Sequence, residues 1–560
     1  MGYCIGIGLC VDTTVTMIKT SGLTIALKGL DSATVGATIL LGACAFLTSL
    51  ALRRKVLWLS KPTKLDLGIM LTVLVQTLLI LLYFQKYPIF PQYESPDFAA
   101  HVQIAQNLIS GSTTSVPSGV LYYGIHYQLA SALILEGGNP LLVVRVTMSL
   151  LVILSTFIFY LLGSRLFANP LAGLIVALVY SLSGTIWFGG VFNSGLYANF
   201  FGIIACLFVL VVWLDTGMDR APKGTWILLM LGAVMLYFSH YSAVTLLPAL
   251  LVFPLVDYTK TRRLNKRILL SSLFVVLPAL LVVLVYPYLI AVFRLSVSGA
   301  GGEVIGSTSL SNLLSGFPIV GYMSTEVTYD IGFVMLLFLI AVYLWRMSRT
   351  WAPTMFVPVI WLAALLVVSP LGLGAWRYAF EALVPMTLMA SYGLFSLLPK
   401  LETRRSRRQT KAPYWKAGLV LVVILGLLLG GSWGERVVAD ATTAQQVTAQ
   451  SQYYVNDSIS WLGSHTPQNS TYLSISDWRF TYTSLFLGRE TIYSFQSQPN
   501  ASVSLAIQQH VPYIIVTNVV TEALPPVPSL FPWNNFPEKS NANLTLIYSN
   551  PDVRIYHVVI

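Results

Sequence analysis

The chain has 560 residues, 56% of them hydrophobic and only 10% charged, with a formal net charge of +11. Soluble domains carry charge on about a quarter of their residues, so this composition excludes a soluble protein, and the mean hydropathy of +0.72 agrees. The positive balance does not point to nucleic acid: no nucleic-acid motif is present, and the basic residues cluster in short loops between apolar runs, as positive-inside topology requires.

The start of the chain has no basic n-region, and Lys19 and Lys28 precede the first long apolar run, so no signal peptide is expected. Gly6 stands where a myristoylation motif needs Ser or Thr. A membrane-spanning helix takes about 20 apolar residues. On that scale spans are expected near 32–52, 67–84, 139–162, 170–188, 195–215, 225–240, 242–257, 268–290, 331–346, 353–370, 378–398 and 415–433, giving a polytopic α-helical membrane protein of about twelve helices. The stretch 225–257 also fits one long helix bent at Pro248, but basic residues at both of its outer ends favour two crossings.

Orientation follows from charge. Arg53, Arg54, Lys55, Lys61 and Lys64, the cluster Lys260–Arg267 and the cluster Lys400–Lys416 all fall on one side of a twelve-span count, while the opposite loops hold Lys86, Arg145, Arg294 and Arg377. The first set is therefore expected on the cytoplasmic side and both termini outside. Four Asn-x-Ser/Thr sequons, at Asn456, Asn469, Asn500 and Asn543, agree, since such acceptors are used on the outer face. Two domains are expected: residues 1–433 in the membrane, with long outer loops 85–138 and 291–330, and residues 434–560 as a small extracytoplasmic α/β domain. In the latter, helices are expected near 440–463 and 501–510, strands at 471–475, 491–495 and 513–517, and a hairpin of 544–548 and 553–559 turning at Ser549-Asn550-Pro551-Asp552. Cys4, Cys10, Cys44 and Cys206 all lie outside this domain, so it has no disulfide framework, and no zinc or haem spacing occurs.

The outer loops carry the candidate chemistry. Loop 85–138 holds Glu94 and Asp97, then a polar helix through His101, Gln103, Gln106 and Asn107, then a second short stretch, 121–135, with Tyr122, Tyr123, His126 and Tyr127. Neither helix is long enough to span, and both are expected at the membrane surface. A carboxylate there can take the proton of an attacking hydroxyl, and His101, one turn after Asp97, can orient it or hold a phosphate. The alternative is a solvated loop in which Asp97 is a helix N-cap. Loop 291–330, rich in Gly and Ser, reads as a mobile cover for a substrate or as plain surface loop. Arg377, at the outer mouth of the eleventh span, suits a lipid phosphate or an ion pair with Glu381. His240, at the outer turn of the 225–257 pair, and Arg294 are further candidates.

Taken together, Glu94-Ser-Pro-Asp97 with His101, Tyr122-Tyr-Gly-Ile-His126, Val144-Arg145 through Leu162-Gly-x-Arg165-Leu-Phe167, Gly195-Leu-Tyr-Ala-Asn199, Arg377-Tyr378, and Asp477-Trp-x-Phe480 with Gly488-Arg489 resemble the GT-C superfamily of membrane glycosyltransferases. The resemblance implies a sugar donor on a polyprenyl phosphate or diphosphate, transferred on the outer face to a glycan, lipid or protein acceptor. It implies Asp97 or Glu94 as catalytic base, Arg377 and Arg294 on the lipid phosphate, and His101, His126, Tyr123 and His240 lining the site. A divalent metal is possible in this superfamily but not indicated here: Ser476-Asp477-Trp478 is not the Trp-Trp-Asp motif of the oligosaccharyltransferase branch, which is disfavoured. Tyr123-Gly124 stands where many members of the superfamily have the Pro-Pro of a Tyr-Pro-Pro-Gly-x-His-like segment, and span 32–52 is an additional first helix. A non-catalytic protein assembling an envelope complex is the rival reading. A transporter fits less well, for want of repeated halves and charged midplane residues.

Overall fold

The computed structural model describes residues 63–86, short stretches within 101–109, and 123–136, 140–183, 185–193, 195–217, 225–240, 245–285, 331–350, 352–368, 375–397, 444–475, 480, 487, 489, 491–494, 499–517 and 543–559. Expected spans 32–52 and 415–433, loop 291–330 and the acidic segment with Glu94 and Asp97 lie outside these residues.

Helix α1 (Lys64–Lys86) opens on a reciprocal cap: Thr63 N–H donates to Asp66 Oδ2 at 2.8 Å, and Asp66 N–H donates to Thr63 Oγ1 at 3.2 Å. This satisfies two amides that the first turn leaves without helical partners. One face of α1 is a stripe of Leu67, Met70, Leu71, Leu74, Leu78 and Leu81, each more than half exposed and spaced at three and four residues, which hydrocarbon can cover. The opposite face buries Thr72 and Gln76 against α3 (Pro140–Leu166) and α4 (Pro170–Ser183). There Thr156 Oγ1 donates to Gln76 Oε1 at 2.6 Å, next to a 2.6 Å Ser155–Tyr180 hydroxyl pair. Interhelical polar contacts of this kind hold helices together in lipid, where apolar burial cannot. Gln76→Leu is therefore expected to loosen α1 by about 0.6–2 kcal/mol, read as a lower thermal midpoint of the detergent-solubilised chain.

Helix α4 starts where the sequence predicts, because Asn169 Oδ1 accepts from Leu171 N–H at 2.9 Å and Pro170 presets the first helical φ. It does not run to 188. After Ser183 the chain widens into a π-type turn, Thr185–Asn193, and Gly195 adopts a left-handed φ of 67°. That reversal lets Leu196 N–H return to Gly190 O at 3.0 Å and releases a new helix, α5 (Tyr197–Gly217). Every residue of α5 is buried. Around it pack α3, α6 (Thr225–Ser239), α8 (Lys266–Val285) and α11 (Ala375–Leu397). Trp213 Nε1 donates to Ser272 Oγ at 3.1 Å, and Arg165 pairs with Asp215 at 2.8 Å where α3 and α5 end. The 225–257 stretch is two helices, α6 and α7 (Leu246–Thr261), separated before Pro248. Helix α9 (Ile331–Thr350) is tied by Tyr343 Oη to Met355 O in the 3-10 turn Pro353–Met355, which leads into α10 (Phe356–Val368). Among the described residues four segments are long and apolar enough to cross a membrane: Lys64–Leu82, Val146–Leu166, Tyr197–Gly217 and Phe380–Leu397. The molecule is a helical membrane protein that also carries a small sheet.

That sheet has the order β2-β1-β3-β5-β4, with β1 (Tyr472–Ile475), β2 (Thr491–Ser494) and β3 (Tyr513–Thr517) parallel and β4 (Leu544–Ser549) and β5 (Val553–Val558) antiparallel. Alternation puts Tyr472, Tyr513, Ile515, Val553 and Ile555 into one core cluster with Val455, Ile459 and Leu462 of α12 (Ala444–His465). Leu473, Ile514, Val516 and Val558 fall in a second cluster with Val503 and Ala506 of α13 (Pro499–Gln508). The hairpin turns at Asn550, whose Oδ1 accepts from Asp552 and Val553 N–H at 3.0 and 2.7 Å. Of the four sequon asparagines, Asn469 and Asn543 sit exposed in turns, while Asn456 and Asn500 lie within α12 and α13 with side chains outside the described set.

Candidate active site

The residues that meet come from three separate stretches. Helix α2 (Tyr123–Glu136) is too short to span and packs against α3, α5 and α6. Its close seat depends on Gly124, where a Cβ would run into the Phe201 ring of α5. Two residues on, His126 is 0% exposed, and its Nε2 lies 2.7 Å from Nδ1 of His101, which is 7% exposed. Tyr197, the first residue of α5, stacks on His101 with ring centroids 5.7 Å apart and planes at 30°. The Gly195 reversal is what puts Tyr197 there.

A nitrogen pair this close shares one proton: one ring donates and the other accepts, so the two imidazoles cannot both carry full charge. Burial, and secondarily the neighbouring His101, hold His126 well below the usual 6.5. In the unfolded chain that imidazole takes up a proton near pH 6.5, whereas in the folded chain it does not. The contribution is therefore complete above pH 6.5 and is lost as pH falls from there toward the lowered folded value, by roughly 1 kcal/mol per pH unit. His126→Gln is expected to flatten this acid slope in thermal unfolding followed between pH 7.5 and 5.5, values about one unit either side of the imidazole range.

A second buried polar group involves α11. Glu381 is 1% exposed, and its Oε1 accepts from Thr245 Oγ1, at the start of α7, at 3.0 Å. Trp361 Nε1 of α10 donates to the same hydroxyl at 3.3 Å. This ties α7, α10 and α11 together one turn after Arg377. Glu381 lies near the start of α11 and not at its centre, so it does not conflict with span centres almost free of charge.

Of the expected site residues, His101 and His126 are in direct contact. His240 is buried where α6 ends, on a helix that α2 also packs against. Tyr123 lies in the first turn of α2 and Arg377 in the first turn of α11, with side chains outside the described set. Glu94, Asp97 and Arg294 are outside it altogether. Sequence reasoning missed Tyr197, Thr245 and Trp361 as partners. The signal available for Tyr197 was the Asn193-Ser194-Gly195 break just before it. Among the described residues no three His, Cys, Asp or Glu side chains converge as metal ligands.

No protein-family model and no curated protein sequence matches the chain. Solved structures do. The apo oligosaccharyltransferase of Archaeoglobus fulgidus superposes with a TM-score of 0.56 at 14% identity, over 82% of this chain and 70% of that one. ArnT from Cupriavidus metallidurans, bound to undecaprenyl phosphate, gives 0.51 at 12% identity over 88% and 98%. The mycobacterial arabinofuranosyltransferase AftD gives 0.50 at 16% identity over 88% and 41%. All three have the GT-C fold, and at these identities the likeness is one of fold.

Proposed function

We propose that this chain, whose fold is that of the GT-C membrane glycosyltransferases, moves a sugar from a polyprenyl-phosphate carrier to an acceptor on the outer face of the membrane. The observation that carries this reading is the buried His101–His126–Tyr197 cluster. Asp97 is four residues before His101, so the backbone between them reaches at most about 14 Å. In the reaction, Asp97 or Glu94 takes the proton of the acceptor hydroxyl as its oxygen attacks the anomeric carbon. The bond from that carbon to the carrier phosphate oxygen breaks, and the phosphate leaves with the electron pair. Arg377, near the amino end of α11 where helical amides favour anions, holds this phosphate together with Arg294. His101 and His126 orient the base, and Tyr123 and His240 line the sugar pocket.

Residues 434–560 then form the extracytoplasmic domain and residues 1–433 the membrane domain, with the basic loops inside. The ArnT structure carries undecaprenyl phosphate, and an AglB structure carries dolichol-phosphate with an inhibitory peptide. A carrier of that chemistry is the donor proposed here, and the reaction as written uses no divalent ion. The test is transfer in purified membranes from a panel of polyprenyl-phosphate monosaccharides and polyprenyl-diphosphate oligosaccharides. Transfer from a monophosphate donor supports the reading. Transfer only from diphosphate oligosaccharides to peptides makes the chain an oligosaccharyltransferase instead, and no transfer by a correctly inserted chain moves the envelope-assembly reading ahead.

A further inference from the structure

Among the described residues, strand β4 lies at the end of the sheet order, hydrogen-bonded to β5 on one side only. Its sequence, Leu-Thr-Leu-Ile-Tyr-Ser, has no charge and no proline, and Leu546 and the neighbouring Val559 are 41% and 54% exposed. Such an edge is a template for pairing with a further strand, and proteins normally blunt it with charge, proline, a bulge or a cover. Here there is a register shift between Leu546 and Tyr548, which blunts only the middle. The first half of the edge begins with Asn543-Leu544-Thr545.

This sequon is exposed at both of its polar positions. Asn543 is exposed in the turn before the strand, Leu544 points into the core at 9% exposure, and Thr545 is exposed again. Strand alternation therefore sets the amide and the hydroxyl on the same outward side. Val559 N–H donates to Asn543 O at 2.9 Å and fixes the backbone there. Asn456-Asp457-Ser458 is the opposite case. It lies inside α12, Ser458 is fully buried, and its Oγ donates to Tyr454 O at 2.7 Å while accepting from Asn550 Nδ2 at 3.0 Å.

The geometry points to Asn543 as an N-glycan acceptor in the folded chain, with the glycan covering the uncharged β4 edge against strand-to-strand association. This rests on the outward placement of residues 434–560 proposed above. The donor is a lipid-linked oligosaccharide acted on by a separate transferase. The Asn543 amide nitrogen bonds to the anomeric carbon, the bond from that carbon to the carrier phosphate breaks, the amide proton passes to the transferase's base, and the phosphate leaves.

The experiment is glycopeptide mass spectrometry on the full chain purified from the envelope of its own cells, with sizing of the same preparation. The expected result is a glycan on Asn543 in most molecules and none on Asn456, and a shift of Asn543→Gln toward dimers and larger species. An occupied Asn543 with no shift in the variant overturns the shielding role. A bare Asn543 overturns the acceptor assignment if Asn543→Cys is labelled from outside intact cells by an impermeant maleimide, above the wild-type background. If that cysteine is reached only after the membrane is opened, the outward placement itself fails, whatever the transfer assay shows.

Discussion

Asp97→Asn is expected to lower sugar transfer by about 10²–10⁴-fold, the usual contribution of a positioned general base, with the amount of inserted protein unchanged. Asparagine keeps the size and the hydrogen-bonding oxygen of aspartate but cannot take a proton. A base acts only as the hydroxyl attacks, so the loss should fall on kcat, leaving KM for the lipid donor close to wild type. Glu94→Gln is the paired variant, and the larger loss of the two identifies the base. The smaller loss, if confined to KM, marks the other carboxylate as one that positions substrate. Near-normal rates in both variants would sink the catalytic assignment of this loop.

Removing Arg489 should be the most damaging single change to the sheet-bearing region. The side chain is 5% exposed, and its Nη1 donates to Leu462 O at 2.6 Å, Thr466 Oγ1 at 2.5 Å and Tyr472 Oη at 2.6 Å, while Nη2 donates to Gly463 O at 3.0 Å. Leu462 and Gly463 are at the end of α12, where carbonyls run out of helical amides and the helix dipole favours a cation. Arg489→Ala deprives two carbonyls and two hydroxyls of a charged donor at once. Leu462 O keeps Thr466 N–H and Oγ1 as donors, and the Thr466 and Tyr472 hydroxyls keep each other. The change therefore acts through Gly463 O and the lost charged bonds, each worth about 1.5–3 kcal/mol, and a total of roughly 2–4 kcal/mol is expected. Arg489→Lys recovers part of it, since an ammonium supplies the charge without the planar fork. Limited proteolysis and thermal unfolding of the purified full chain check this, and a midpoint within experimental scatter of wild type would refute it. Gly488-Arg489 contributed to the family resemblance; in the structure the arginine is a helix clasp.

The helices of the bundle were largely readable because long apolar runs bounded by Lys, Arg, Pro or Asn leave few alternatives in a membrane. Residues 64–86, 140–166, 197–217 and 375–397 show this directly. The separation of α6 from α7 was readable from the basic residues at either end, although Pro248 pulled toward a single bent helix. The turn at 185–193 was not readable: between Thr185 and Asn193 the segment Ile-Trp-Phe-Gly-Gly-Val-Phe carries no polar side chain, so nothing in its periodicity distinguishes a wide turn from an ordinary one. The contact of His101 with His126 could be placed only in a common loop, because their 25-residue separation is closed by α2 docking on α5. Thr245, Trp361 and Glu381 are up to 136 residues apart in sequence, and no local pattern links them.

The complete burial of α5 bears on how the protein tolerates different membranes. A helix with a lipid-facing side tilts or drags lipid with it when bilayer thickness changes. α5 has no such side, whereas α1 offers hydrocarbon a broad leucine stripe. Hydrophobic mismatch is therefore absorbed at the periphery, and the ring that α5 lifts against His101 stays at the same height relative to the helices around it. Sugar transfer should consequently vary little across lipids of different chain length, even where the outer helices change their tilt.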